Sequence, residues 1–356
     1  MAAKPDKQVF ELPGHWLVVA IGASLFVVLL LMAGVQVEID PADGVDRLFA
    51  VIAGTALVAR FALRPRQSKA QRIARDAIDH IGLFALVCLV GALASYPLAA
   101  YTSGFDDVAL ERIDRLMRFD WLAWYAFVAA HPALQLGEGI AYQSIFVTPV
   151  ILLGYFAVTG RRAEARMFIA SFWLAALITL LLFTLTPAQG PLAYMWRGHI
   201  PYMPRSALYQ SELIPLLRLH EVHSVAVTSL HGLVCAPSFH TVSAVLYIIA
   251  AWPIRQLRWP ILLLNVAMLL ATPVEGTHYL TDMLAGAVVA ILVSAVMQRG
   301  LPSLVAERRA LQLDPLGSYL RRQRDDDLIH LLAQEPSSGP RALAILKEID
   351  RRHLDD

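Results

Sequence analysis

Charge is scarce in this chain. Of its 356 residues, 17% are Asp, Glu, Lys or Arg, against 57% that are apolar. Net charge is +1, so no broad basic field exists to draw in nucleic acid, and none is expected as a partner. Cysteine is scarcer: Cys88 and Cys235 stand far apart, each in or beside an apolar segment. That argues against a disulfide framework and against a zinc site built on cysteines. The chain has no Gly-rich phosphate loop, no low-complexity tract, no clear internal repeat and no His-Glu-x-x-His metal signature.

What the chain has is long apolar runs, with a mean hydropathy of +0.54. A soluble domain of this size is far more polar. Eight runs read as membrane spans, at about 16–37, 48–63, 81–101, 139–158, 167–185, 234–254, 259–274 and 279–297. The first is too long for a signal-peptide core and more spans follow, so it reads as an uncleaved span. The expected fold is an all-α polytopic membrane bundle, since lipid satisfies no open backbone. Leu110, Ile113, Met117, Trp121, Trp124 and Val128 recur at steps of three and four, with Glu111, Arg112, Asp114 and Arg115 between them. This predicts one amphipathic helix over 105–133, ended by Pro132, lying at the interface or packed on other protein. Three regions follow: 1–104 with three spans, 105–298 as the functional membrane domain, and 299–356 as a charged tail with a short helix near 338–347.

Basic residues orient the set. Arg64, Arg66, Lys69, Arg72 and Arg75 follow the second span, Arg161, Arg162 and Arg166 the fourth, Arg255 and Arg258 the sixth, and the tail the eighth. With eight spans all four clusters fall on one side, which the positive-inside rule makes cytoplasmic. Both termini are then cytoplasmic in an inner (plasma) membrane. The loop 186–232 and the mouths of the sixth and eighth spans face the periplasm or lumen.

Two stretches at those mouths carry ionisable groups: Cys235-Ala-Pro-Ser-Phe-His240-Thr241 and Glu275-Gly-Thr-His278-Tyr-Leu-Thr-Asp282. Such groups near a bilayer are costly and point to function. His278 and Asp282 are four apart, so on a helix the carboxylate can accept a ring N–H and fix the tautomer. His240 precedes His278 by 38 residues, about one crossing down and one back. Two imidazoles and a carboxylate on one face make a nucleophile, an acid and an orienting group.

Pro237-Ser-Phe-His240 and His278-Tyr-Leu-Thr-Asp282 resemble the second and third motifs of the type 2 phosphatidic acid phosphatase superfamily. Asp120-Trp121, Pro187-Ala-Gln-Gly-Pro191 and 271–278 make the chain most similar to its inositol phosphorylceramide synthase branch, and the His-Tyr-x-x-Asp form is similar to sphingomyelin synthases. The resemblance covers about 110–290. It implies a lipid phosphotransferase without metal or cofactor. His278 attacks phosphorus to give a phosphohistidine, Asp282 supports the ring, and His240 serves as acid and then base. The substrate is a phospholipid or lipid phosphate and the acceptor a lipid hydroxyl such as a sphingolipid's. The alternatives are water as acceptor, making a lipid phosphate phosphatase, or a lipid-binding or transport protein without catalysis.

The chain departs from the family pattern. Phe239 replaces a Gly, Thr272 stands where the third-motif Arg belongs, and there is no Lys-x6-Arg-Pro first motif. Phosphate oxygens still need donors. Arg205 is the first candidate, then Arg197 and Arg218, with backbone N–H groups around Ser238 at a helix N-terminus. Glu275 either tunes His278 or caps its span, and Tyr142 either lines the substrate cavity or packs the bundle. A metal held by His and Asp is the competing use of the same residues.

The topology is directly testable. A cysteine at Ser206 is expected to react with an impermeant thiol reagent in intact cells, and one at Ser68 is not. The reverse pattern would put the site on the cytoplasmic face.

Overall fold

The computed structural model describes residues 12–40, 68–300, 315–320, 323, 325–334 and 340–351. Two compact units divide the chain, Met1–Ser294 and Ala295–Asp356. The first unit begins with α1 (Gly14–Gly34), a two-residue strand β1 (Glu38–Ile39) and α2 (Lys69–Ala100). Next come α3 (Asp107–Leu116), α4 (Trp121–Ala129), α5 (Pro132–Thr159), α6 (Arg162–Leu185), α7 (Pro191–Met195) and α8 (Tyr209–Arg218). After β2 (Ser224–Val225) follow α9 (Phe239–Ala251), α10 (Arg258–Glu275) and α11 (Leu280–Ala295). In the second unit α12 (Pro315–Leu320), α13 (Asp325–Gln334) and α14 (Pro340–Arg351) share an apolar cluster of Leu320, Leu328, Ile345 and Ile349.

Five described helices are long and apolar enough to cross a membrane: Gly14–Gly34, Lys69–Ala100, Pro132–Thr159, Arg162–Leu185 and Leu280–Gln298. The chain is therefore an all-α integral membrane protein. The expected span at 48–63 lies outside the described residues. The span expected at 234–254 is a helix of 13 residues, α9, about 20 Å long against a hydrocarbon core of about 30 Å. It starts late because Cys235–Pro237 form a turn and Ser238 takes the N-cap, its side chain accepting from Thr241 N. The seventh is α10, whose apolar character is diluted by Arg258, Asn265 and Glu275.

Three boundaries differ from the sequence expectation for local reasons. The 105–133 helix is two helices, because Arg118 turns into the left-handed region at φ 60° and Asp120 caps α4 by accepting from Ala123 N at 3.0 Å. Pro132 does not end a helix but opens α5, at a position where its missing N–H is no loss. Helix α2 starts twelve residues earlier than the predicted third span, at Lys69 rather than 81, because Ser68 and Gln71 form a capping box.

The core packs α10 against α5 and α9, and α6 against α2 and α9. One end of the unit is tied by the Arg162–Asp76 ion pair at 2.7 Å, joining the starts of α6 and α2. At the other end β1 pairs in parallel with β2, and Arg218 donates to Thr102 Oγ1 and Gly104 O. The long 186–232 loop and the N-terminal ends of α9 and α11 meet there.

Helix α3 is the clamp of that end. Asp107, Leu110 and Asp114 lie on its buried face. Asp114 accepts from Leu280 N, Thr281 N and Thr281 Oγ1 at 2.6–2.8 Å, capping α11 from another helix. Asp114→Ala is expected to cost about 1–3 kcal/mol, the worth of leaving buried donors unpaired. Thermal unfolding in detergent measures it, and an unchanged midpoint would show that the cap is dispensable.

Candidate active site

His278 sits on the turn between α10 and α11. Its Nδ1 lies 3.1 Å from Asp282 Oδ1, with both side chains almost fully buried. The contact meets an ion-pair distance without hydrogen-bond alignment. The other Asp282 oxygen accepts Tyr279 N at 2.9 Å, so an acid three residues into the helix caps its own start. Asp282 also holds α9, because its carbonyl accepts Ser238 N at 3.0 Å. A Cβ on Gly286 would come within 2.5 Å of Ser238 O, so only glycine lets α11 approach α9 this closely.

His240, in the first turn of α9, has its ring centre 6.3 Å from that of His278. Its ring stacks on Tyr142 at 3.9 Å, and its Nδ1 lies 3.2 Å from the Tyr142 hydroxyl. Tyr142 thus touches His240 while it also packs with Ala141 and Ala271 in the bundle core. Phe239, in the place of the family's Gly, packs edge-on against Phe172 of α6. Thr272, in the place of the family's Arg, is buried and bonds back to Met268 O; it offers nothing to a phosphate.

The basic candidates separate. Arg205 is exposed and its guanidinium lies over Gly139, where a Cβ would come within 3.3 Å of Nε. That position is less than one helical turn from Tyr142, so Arg205 belongs to the histidine pair's surroundings. Arg197 is exposed and donates to the neighbouring Trp196 carbonyl. Arg218 is committed to Thr102 and Gly104 and lies over the Phe105 ring. The structure therefore places Arg205 about one helical turn of α5 from Tyr142, and gives Arg197 and Arg218 partners elsewhere. Ser238 is fully buried; its N–H donates to the Asp282 carbonyl and its Oγ accepts from Thr241 N. Its own N–H is not offered to a ligand.

Glu275 is fully buried and accepts from the Tyr202 hydroxyl and from Arg205 N. Burial first, then Glu275, holds the Tyr202 phenol above its ordinary range. Glu275 thus anchors the 196–208 loop to the end of α10, carrying Arg205 with it. Glu138, one turn before Tyr142 on α5, feels the charge of Glu275, and its Oε2 is buried without a hydrogen-bond partner.

Several residues that hold the site were missed from sequence. Asp107 accepts from Gln189 N, Gly190 N and the Tyr279 hydroxyl, fastening the Pro187–Pro191 segment to the residue after His278. Burial raises its carboxyl above the usual range despite these donors. Trp121 Nε1 donates to Pro273 O at 2.8 Å, fixing the end of α10. Thr277 is β-branched yet has φ 48°, a costly conformation. It is held by Gly190 packed on its backbone, by Ser206 Oγ and by the Cys235 thiol. The signal available in sequence was the seven-residue spacing of Asp107 and Asp114 about Leu110, a repeat that keeps to one helix face. A polar cavity of about 390 Å³ lies beside Tyr279 between α3 and α4, and neither histidine lines it.

Cys235, His278 and Asp282 bring three metal-type donor atoms within 4.8 Å of one another, the one such group found among the described residues. Burial first, then Asp282, raises the Cys235 thiol, which makes it inert as a nucleophile.

A family model of the PAP2 superfamily matches residues 108–296, more than half of the chain. The chain belongs to the PAP2 superfamily. The matched segment contains both histidines, Asp282, Arg205 and all of α3 except Asp107. With the apolar helices, membership makes this an integral membrane enzyme of the phosphatase type, acting on lipid phosphates. No curated protein and no solved structure gives a significant match.

Gly276 tests the site's geometry. A Cβ there would lie 2.5 Å from Cδ2 and 3.1 Å from Nε2 of His278. Gly276→Ala must push the imidazole aside, and a displacement near 1 Å is expected to lower turnover about 10²-fold. Steady-state rates alongside a thermal melt separate this from unfolding; full activity would show that the ring's seat is unimportant.

Proposed function

We propose that this PAP2-superfamily enzyme is a metal-independent lipid phosphotransferase. It would move a phospho-headgroup from a phosphodiester donor to a lipid hydroxyl through a phosphohistidine. The observation that carries this is the buried His278–Asp282 pair with the second imidazole, His240, 6.3 Å away on another helix.

His278 is the nucleophile. Asp282 faces Nδ1, which leaves Nε2 to attack phosphorus as the bond to the departing alkoxide breaks. The carboxylate then stabilises the charge on the phosphorylated ring. His240 gives its proton to the leaving oxygen. In the second half it takes the proton of the acceptor hydroxyl, whose oxygen attacks phosphorus and frees His278. Tyr142 orients the His240 ring through Nδ1, leaving Nε2 to carry the proton. Arg205 supplies positive charge to the phosphate oxygens, and the first turn of α9 adds its helix dipole. Glu275 positions Arg205 through the loop it anchors.

The burial of His278 favours a lipid hydroxyl over water. At 3% exposure its ring meets bulk solvent poorly, and a phosphohistidine there would be shielded from hydrolysis. The site then lies at the outer leaflet, in the 105–298 region, with both termini and the tail from 299 in the cytoplasm. The preference for sphingolipid and inositol headgroups rests on the motif resemblance.

Assays with chelator present throughout test the roles. His278→Ala is expected to abolish turnover with every donor. His240→Ala should cost about 10²–10⁴-fold with a lipid donor, the worth of a positioned acid. With an aryl phosphodiester, whose phenolate needs no acid, it should give a burst of phenolate and then stall, holding acid-labile phosphate on the protein. Equal losses with both donors and no burst would remove His240 from this role. Mass spectrometry of the products distinguishes a lipid acceptor from water, and loss of activity on chelation would overturn metal independence.

A further inference from the structure

We propose that Cys235, His278 and Asp282 form a binding site for a thiophilic divalent cation of the zinc type, and that filling it turns the enzyme off. Inhibition rests on the catalytic reading of His278; binding does not.

The geometry is that of a coordination shell. His278 Nδ1 and Asp282 Oδ1 are 3.1 Å apart, and Cys235 Sγ is 3.8 Å from Asp282 Oδ2. A tetrahedral zinc with bonds of about 2.0–2.3 Å separates its ligand atoms by about 3.3–3.6 Å; the three donors lie within 4.8 Å of one another, so the side chains must close in to share an ion. The pair itself is open to a ligand: His278 Nδ1 and Asp282 Oδ1 are buried and meet at ion-pair distance without hydrogen-bond alignment. Buried polar atoms are rarely left so. A cation between them would satisfy both.

The donor set selects the ion. A thiolate, an imidazole and a carboxylate suit zinc, whereas magnesium and calcium want oxygen shells. The three residues are at most 3% exposed, which keeps competing water out. Three protein donors leave one tetrahedral position for a water or a phosphate oxygen.

Binding involves no redox step: the thiol proton passes to solvent and the sulfur bonds the metal. The ion takes the Nδ1 lone pair and the Asp282 oxygen together. The imidazole then loses the carboxylate that supports its charge and gains a dication in its place. Attack on phosphorus is opposed at the atom that should assist it. The site is therefore inhibitory, compatible with turnover that needs no metal.

The test uses the full chain in detergent micelles, stripped with chelator and then freed of it. Cobalt(II) is the spectroscopic probe and zinc the inhibitor. A thiolate-to-cobalt charge-transfer band in the near ultraviolet is expected, lost in Cys235→Ser, with Cys88 intact as the internal control. Zinc is expected to inhibit the wild type, with its half-maximal concentration raised about 10–100-fold in Cys235→Ser and Cys235→Ala. Each variant's zinc sensitivity is read against its own zinc-free rate, and Ser serves where Ala fails to fold. No cobalt–thiolate band, undiminished zinc sensitivity in both variants, or activation by zinc would each overturn the proposal. If the wild type turns over no phospholipid at all, the catalytic reading fails, while the cobalt band still decides the site.

Discussion

Four buried carboxylates hold the turn that carries His278. Asp107, Asp114, Glu275 and Asp282 are each at most 3% exposed in a bundle whose core is mostly apolar. A carboxylate is tolerated there only if donors surround it. Each finds them on a different piece of chain: the Pro187–Pro191 segment and Tyr279, the start of α11, the 202–206 loop, and the turn itself. The need to satisfy these groups pins the turn from several directions and keeps Thr277 in a backbone region it would otherwise leave.

The same constraint explains why α3 and α4 exist between two membrane helices. Neither is long enough to span, yet Asp107 and Asp114 of one and Trp121 of the other brace the turn that carries His278. Negative charge gathered at one end of a bundle would repel a phosphate. The N-terminal ends of α9 and α11 both point there, and their dipoles place partial positive charge against it. Arg205, brought in by Glu275, adds a full charge on the open side.

Much of this was legible in advance because it is local. Hydropathy identified the long spans, and His278 and Asp282 pair because four residues bring them round one helical turn. His240 stood out by its motif, and its 38-residue distance from His278 put both on one face, although the helix that follows it is shorter than a span. The failures were of two kinds. Boundaries moved where capping outweighed hydropathy, at Ser68, Pro132 and Ser238. Asp114 was assigned to the polar face because an amphipathic pattern cannot tell water from a buried row of N–H groups. Likewise Arg197, Arg205 and Arg218 are alike in sequence, and the partners that separate them are distant in the chain.

The sequence by itself therefore determined the class of molecule and the catalytic alphabet. An apolar chain must become helices in lipid, and ionisable motifs at the ends of two spans must be tied to function. Only the tertiary structure decided that Arg205 lies over Gly139 on α5, that Tyr142 stacks on His240, and that Cys235 lies against the His278–Asp282 pair. Those contacts join residues about forty to a hundred positions apart, and they depend on helix starts and close glycine contacts that no periodicity records.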